Sequence, residues 1–159
     1  MIHRIRAAGL LVHDSKLLLV LEKNLATGSG FWTPPGGGLE AEDGSAVSCV
    51  QREFREETGL SVEVGDLVYV REFAEISRGT HHLELFFRVH WVQGHLHITD
   101  PGAPPVGTDL MRYARWFSQS EMQDLAVAPR ELKRSFWEDA LSGITETRYL
   151  GVTAEETSP

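Results

Sequence analysis

Apolar positions recur along the chain in two different rhythms. "AAGLLV" and "KLLLVLEK" are short, nearly continuous apolar runs parted by "HDSK", a turn-like break, and they predict strand, turn, strand. The following stretch, "NLATGSGFWTPPGGGLE", is too rich in Gly, Ser, Thr and Pro for a regular helix and predicts a structured loop. From Ser45 the rhythm changes: Val47, Val50 and Phe54 fall at i, i+3 and i+7, an apolar stripe of helical period. Ser45 suits the N-cap and Gly59 the left-handed stop, so the pattern predicts a helix from Ser45 to Thr58.

Beyond it, "SVEVGDLVYVREFAEI" and "HHLELFFRVHWV" read as strands, with "VQGHLHIT" returning through a turn at Gly94. "DPGAPPVGTDLM" is a second loop, "YARWF" a short strand and "SQSEM" a helix start. "PRELKRSFWEDALSG" predicts a terminal helix opened by Pro129 and closed near Gly143, with Leu132, Phe136 and Ala140 on one face. Strands with two well-separated helices imply an α+β fold, a mixed sheet sandwiched between helices. A single domain over residues 1–150 is expected, with a disordered tail over 151–159.

Composition narrows the class. A chain of 159 residues that is 42% hydrophobic and 24% charged is that of a globular domain. Its apolar runs are too short to span a bilayer, the N-terminus lacks the features of a signal peptide, and the single cysteine, Cys49, has no internal partner. These features point to the cytoplasm and away from membranes. A net charge of -8 argues against polymeric nucleic acid, which needs a basic footprint. A small phosphorylated substrate remains compatible if a cation stands between it and the carboxylates.

The acids of "QREFREETGL" are the candidate chemistry. On a helix, Glu53, Glu56 and Glu57 cover an arc of roughly 100°, beside the apolar stripe, and Arg52 stands four residues before Glu56. A solvated face with i,i+4 pairs accounts for this spacing as well as a metal site does. If the acids converge beneath a loop, each like pair costs on the order of 3 kcal/mol at an effective dielectric near 20, and one arginine cannot offset them. A hard divalent cation, Mg²⁺ or Mn²⁺, could.

"PPGGGLE" ahead of the helix supplies a tight glycine path whose carbonyls can join a metal shell. Together with "REFREETGL" it resembles the Nudix hydrolase signature, G-x5-E-x7-R-E-U-x-E-E-x-G-U with U bulky and apolar. Arg52, Glu53, Phe54, Glu56, Glu57, Gly59 and Leu60 match its second half. The resemblance implies an α/β/α sandwich over most of residues 5–142. It also implies Mg²⁺-dependent attack of water on phosphorus in a nucleoside diphosphate derivative, with Mn²⁺ able to substitute. By the same resemblance Glu53 and Glu57 are the principal metal ligands, Glu56 joins them, the Gly37 carbonyl completes the shell, and Arg52 orients Glu56. Asp109, from the second loop, stands as the candidate general base, with Glu121 and Glu84 as rivals.

One departure interrupts the signature. Counting back from Arg52 puts Gly44 where the family carries a glutamate. Counting forward from Gly37 puts Asp43 there with one extra residue, and this count keeps a carboxylate. It predicts weakened packing at Asp43–Gly44 without loss of chemistry. A non-catalytic nucleotide-binding or regulatory domain on the same fold is the alternative, favoured by that departure alone. His81-His82 and His95-His97 read as surface or cleft polar groups. Phe31-Trp32, Trp116-Phe117 and Phe136-Trp137 read as core, and Cys49 as a small buried filler. Neither the identity of the substrate nor the choice between monomer and homodimer is written in these motifs. The loops around Ser77–Thr80 and Asp100–Leu110 are expected to carry specificity.

Overall fold

The computed structural model describes residues 1–23, 29–97, 113–143 and 146–154. Its elements are β1 (Ile2–Leu10), β2 (Val12–His13), β3 (Lys16–Lys23), β4 (Gly30–Thr33), β5 (Gly36–Gly38), α1 (Ala46–Thr58), β6 (Ser61–Glu75), β7 (Thr80–Gln93), β8 (Ala114–Phe117), α2 (Ser135–Ser142) and β9 (Arg148–Ala154). A five-stranded sheet runs β5-β1-β7-β6-β9. The β1–β7 and β6–β9 pairs are parallel, while β1–β5 and β6–β7 are antiparallel, so the sheet is mixed as expected. A second sheet gathers β2, β4 and β8 around β3.

The apolar run "LLLV" explains how the layers join. Leu17, Leu18, Leu19 and Val20 are all fully buried, because β3 lies between two hydrophobic clusters. Leu17 and Leu19 face the cluster of Tyr69, Phe86, Phe136 and Trp137; Leu18 and Val20 face that of Val50, Phe54 and Val89. A strand buried on both faces reads as a continuous apolar run, which is the pattern here. α1 therefore packs on one face of the main sheet, and α2 with part of the second sheet on the other.

Several expectations change. The strand-turn-strand reading holds, but it splits at Leu11: β1 belongs to the main sheet, and the turn at Asp14 and Ser15 (φ 48° and 58°) joins β2 to β3. The glycine loop is not a loop. Gly36–Gly38 forms β5, paired with Ala8, Ala7 and Arg6, and an added Cβ at Gly36 would stand 2.4 Å from the Ala7 carbonyl oxygen. Only bare backbone fits so close to β1. β4 likewise forms within the stretch read as loop.

The "VQGHLHIT" return is not a strand over Gly94–His97; the His97 amide instead donates to the Thr58 carbonyl at the end of α1 (3.1 Å). The terminal helix is broken at Arg134 (φ −138°, ψ −83°), leaving one turn at Arg130–Lys133 before α2. Leu132 and Phe136 still share the buried side. The disordered tail expected from residue 151 is overturned for Gly151–Ala154, which lie in β9 and pair with β6. Among the described residues no helix is long and apolar enough to cross a membrane.

Candidate active site

α1 forms where the pattern placed it. The Ser48 amide donates to Ser45 Oγ (3.1 Å), and Gly59 closes the helix at φ 78°. Its buried side is Cys49, Val50, Phe54, Glu57 and Thr58. Val47 is 39% exposed, so the stripe is rotated from the expected one toward Cys49. That rotation carries Glu57 into the interior, where it is 3% exposed and accepts a hydrogen bond from the Gly36 amide (2.8 Å).

β5 is the edge strand of the main sheet, and α1 runs beside it. A Cβ on Gly37 would stand 2.2 Å from Glu53 Oε1, so the glycine is what leaves room for that carboxylate. Glu53, Glu56 and Glu57 thereby line one cleft of about 230 Å³ with the glycine edge. The solvated-face reading of these acids fails on burial: of the three, Glu56 is the most open, with its side chain 30% exposed.

Arg52 is the organising cation. It donates to both oxygens of Asp43 (Nε to Oδ1 2.7 Å, Nη2 to Oδ2 2.9 Å), to Glu53 Oε1 (2.7 Å), to Glu56 Oε2 (3.1 Å) and to the Gly38 carbonyl (3.2 Å). Its role is wider than orienting Glu56. The Asp43 side chain is 3% exposed and also accepts from the Glu40 amide (2.8 Å). Hydrogen bonds from Arg52, then from Glu40, hold its carboxyl at about 2, below the ordinary 3.8. The predicted weakening at Asp43–Gly44 is therefore not found. Gly44 (φ 70°) turns the chain into α1, and Asp43 supplies the acid one residue early.

Two oxygens accept from Cys49 Sγ, those of Gly37 (3.7 Å) and Gly38 (3.6 Å). Burial and then the Asp43 charge push this thiol up to about 12, so it is the inert filler expected. The donor set suits a hard cation: carboxylates and glycine carbonyls, with the cysteine kept as a thiol. Among the described residues, no three His, Cys, Asp or Glu side chains are gathered closely enough to enclose a metal ion. The guanidinium of Arg52 bridges Glu53 and Glu56 in this conformation, and Glu57 is drawn to Gly36.

Asp109 and the Asp100–Leu110 loop lie outside the described residues. Of its rivals, Glu121 accepts from the Ser118 amide (2.7 Å) in a surface turn. Glu84 is bound by Arg71 (2.6 Å to Nε). Neither lines the cleft. His82 is not a surface group: it is 4% exposed, 3.0 Å from Glu75 and stacked on Phe73. Trp32 packs edge-on against Phe117 (4.6 Å), as a core residue does. Arg6, Glu22 and Glu40 also line the cleft. Arg6 and Glu22 come from strands remote in sequence from α1, where no spacing rule could have gathered them, whereas Glu40 closes "PPGGGLE" just before the helix.

The NUDIX domain family model matches residues 3–137. The chain belongs to the Nudix family. A NUDIX hydrolase from Nitrosomonas europaea shares the Nudix fold with it at TM-score 0.65 and 29% identity, over 92% of this chain and 91% of that one. The E. coli ORF135 protein shares the fold at TM-score 0.67 and 23% identity, over 92% and 96% of the two chains. A MutT-like protein of Streptomyces ambofaciens is 36% identical over 69 residues, 43% of this chain and 42% of that protein. A protein of Invertebrate iridescent virus 3 is 44% identical over 62 residues, 38% of this chain. The matches thus span 34% and 42% of the lengths of these two curated relatives.

Proposed function

We propose that this chain hydrolyses a diphosphate linkage in a nucleoside diphosphate derivative, by attack of water on phosphorus, in the cytoplasm and with Mg²⁺ as cofactor. The observation that carries the reading is the convergence of Glu53, Glu56 and Glu57 on one cleft along a bare glycine edge. Glu53 and Glu57 are the principal metal ligands in this reading, with Glu56 and the Gly37 carbonyl beside them. When bound, the cation neutralises charge on the phosphoryl oxygens as the transition state forms. Arg52 holds Glu53 and Glu56 in place at the cleft wall, and Asp43 holds Arg52. Asp109 is the general base that takes a proton from the attacking water. Modified nucleoside triphosphates, ADP-ribose, nucleotide sugars and dinucleoside polyphosphates are the substrate classes to assay.

The non-catalytic alternative drew on the displaced signature acid. Asp43 engages Arg52 with both oxygens, so that displacement leaves no acid missing from Arg52. Product release from the four classes, with about 5 mM Mg²⁺ and with EDTA, tests the reading. Metal-dependent release from one class is expected, and Glu57→Gln should abolish it while the circular dichroism spectrum is unchanged. Full turnover by Glu57→Gln would remove the metal assignment. Asp109→Asn should slow the chemical step in single-turnover assays, and a wild-type rate would dismiss it as the base.

A further inference from the structure

Two cationic side chains line the cleft, and they are in different states. Arg52 is fully engaged by Asp43, Glu53, Glu56 and Gly38. Arg6 stands 3.7 Å from Glu22 and 3.7 Å from Glu84, outside hydrogen-bond range, and makes no side-chain hydrogen bond among the described residues. Glu84 is not a strong competitor for it, because Arg71 binds Glu84 through Nε (2.6 Å) and Nη2 (2.5 Å). Arg6 is thus a guanidinium at the cleft wall, 29% exposed, with donors to offer an anion.

Its placement relative to the acids follows from strand alternation. Ala7 packs against Cys49, Val50 and Phe54 on the α1 side, whereas Ala8 and Leu10 face the opposite cluster. Arg6 shares the face of Ala8. Glu53 lies under Gly37 on the α1 side, and Gly38 is the register partner of Arg6. The edge strand β5 therefore separates Arg6 from the carboxylates, and its three glycines put no side chain of their own in between, although the Arg4 guanidinium rests on Gly38. A diphosphate laid across that edge would have one phosphoryl group on the acidic side and the other over Arg6.

We propose that Arg6 is a substrate-binding residue that grips the phosphoryl group remote from Glu53, Glu56 and Glu57. Glu22 occupies Arg6 when substrate is absent and yields it to the phosphate. The proposal rests on reading this cleft as the diphosphate site, and its test separates the two. Inorganic pyrophosphate serves as the probe, titrated calorimetrically into the full chain with saturating Mg²⁺. Arg6→Gln should weaken binding about tenfold or more, as expected for losing charge-assisted bonds. Arg6→Lys should recover part of the loss, as a point charge without the planar fork.

Glu22→Gln, which removes the competing anion and keeps Arg6, should tighten binding a fewfold. On any substrate turned over, Arg6→Gln should raise KM more than it lowers kcat. Wild-type affinity for pyrophosphate in Arg6→Gln, or no binding by the wild type, would overturn the proposal. Arg6-dependent binding without product release from any substrate class would support the clamp and count against the hydrolase reading instead.

Discussion

At the scale of single residues, the Asp43–Arg52 pair shows how a carboxylate displaced by one position can keep its partner. Arg52 presents a planar fork and Asp43 accepts it with both oxygens, a geometry that a lysine could not reproduce. Because the folded Asp43 carboxyl sits at about 2 against an ordinary 3.8, its stabilisation is fully present above about pH 4. It is lost as the pH falls through about 2. The thermal midpoints of wild type and Asp43→Asn, followed from pH 6 to 2 (a window set by these values), should differ by a constant amount above about pH 4 and converge below it. At neutral pH the variant should lose on the order of 2 kcal/mol, as for hydrogen bonds to a charged group. It should also lose turnover, because Arg52 would no longer be held against Glu53 and Glu56.

At the scale of elements, the site is a contact between a helix and a sheet edge, and the glycines of β5 have separable tasks. An added Cβ at Gly36 meets fixed backbone, the Ala7 carbonyl oxygen at 2.4 Å and the Ala8 Cα at 2.6 Å. An added Cβ at Gly37 meets the end of the Glu53 side chain at 2.2 Å, which can swing aside. Gly36→Ala should therefore lower the thermal midpoint strongly, while Gly37→Ala should fold close to wild type and lose metal-dependent turnover. Denaturation curves and product release on the same two proteins read both halves of this contrast. The cap of α1 is a milder element: Ser45→Ala should cost about 1 kcal/mol in urea denaturation, with no direct effect on the acids.

At the scale of the whole molecule, two hydrophobic clusters meet on β3, and the acidic cleft opens where the edge of the main sheet passes it. β9 extends the opposite edge and ties it to α2. Arg148 pairs with Asp139 (2.9 Å), which accepts from the buried Tyr69 hydroxyl (2.8 Å). Removing residues 148–159 should expose β6 and leave Asp139 without its cation, lowering the thermal midpoint by several degrees at least. Removing only 155–159 should leave β9 and the midpoint in place. The cleft stands far from that edge, so residual turnover of the longer truncation should retain its metal dependence.

Periodicity and local motifs are properties of neighbours in sequence, and they were legible as such. The span of α1, its caps, the strand character of β3 and the acids of the signature could all be read from residue spacing and type. The positions of Arg6 and Glu22 could not, since they are brought to the cleft by strand pairing with partners remote in sequence. Nor could the strand character of Gly36–Gly38, because glycine carries no pattern of its own and is extended here only by its pairing with β1. Spacing left the acids of α1 undecided between a solvated face and a binding site. The rotation of the helix toward Cys49 told against the solvated face, by packing Val50 and Phe54 into the core and carrying Glu57 to the amide of Gly36. Local sequence set which chemistry was on offer; packing set which groups face one another, because burial energy depends on partners that the local pattern does not contain.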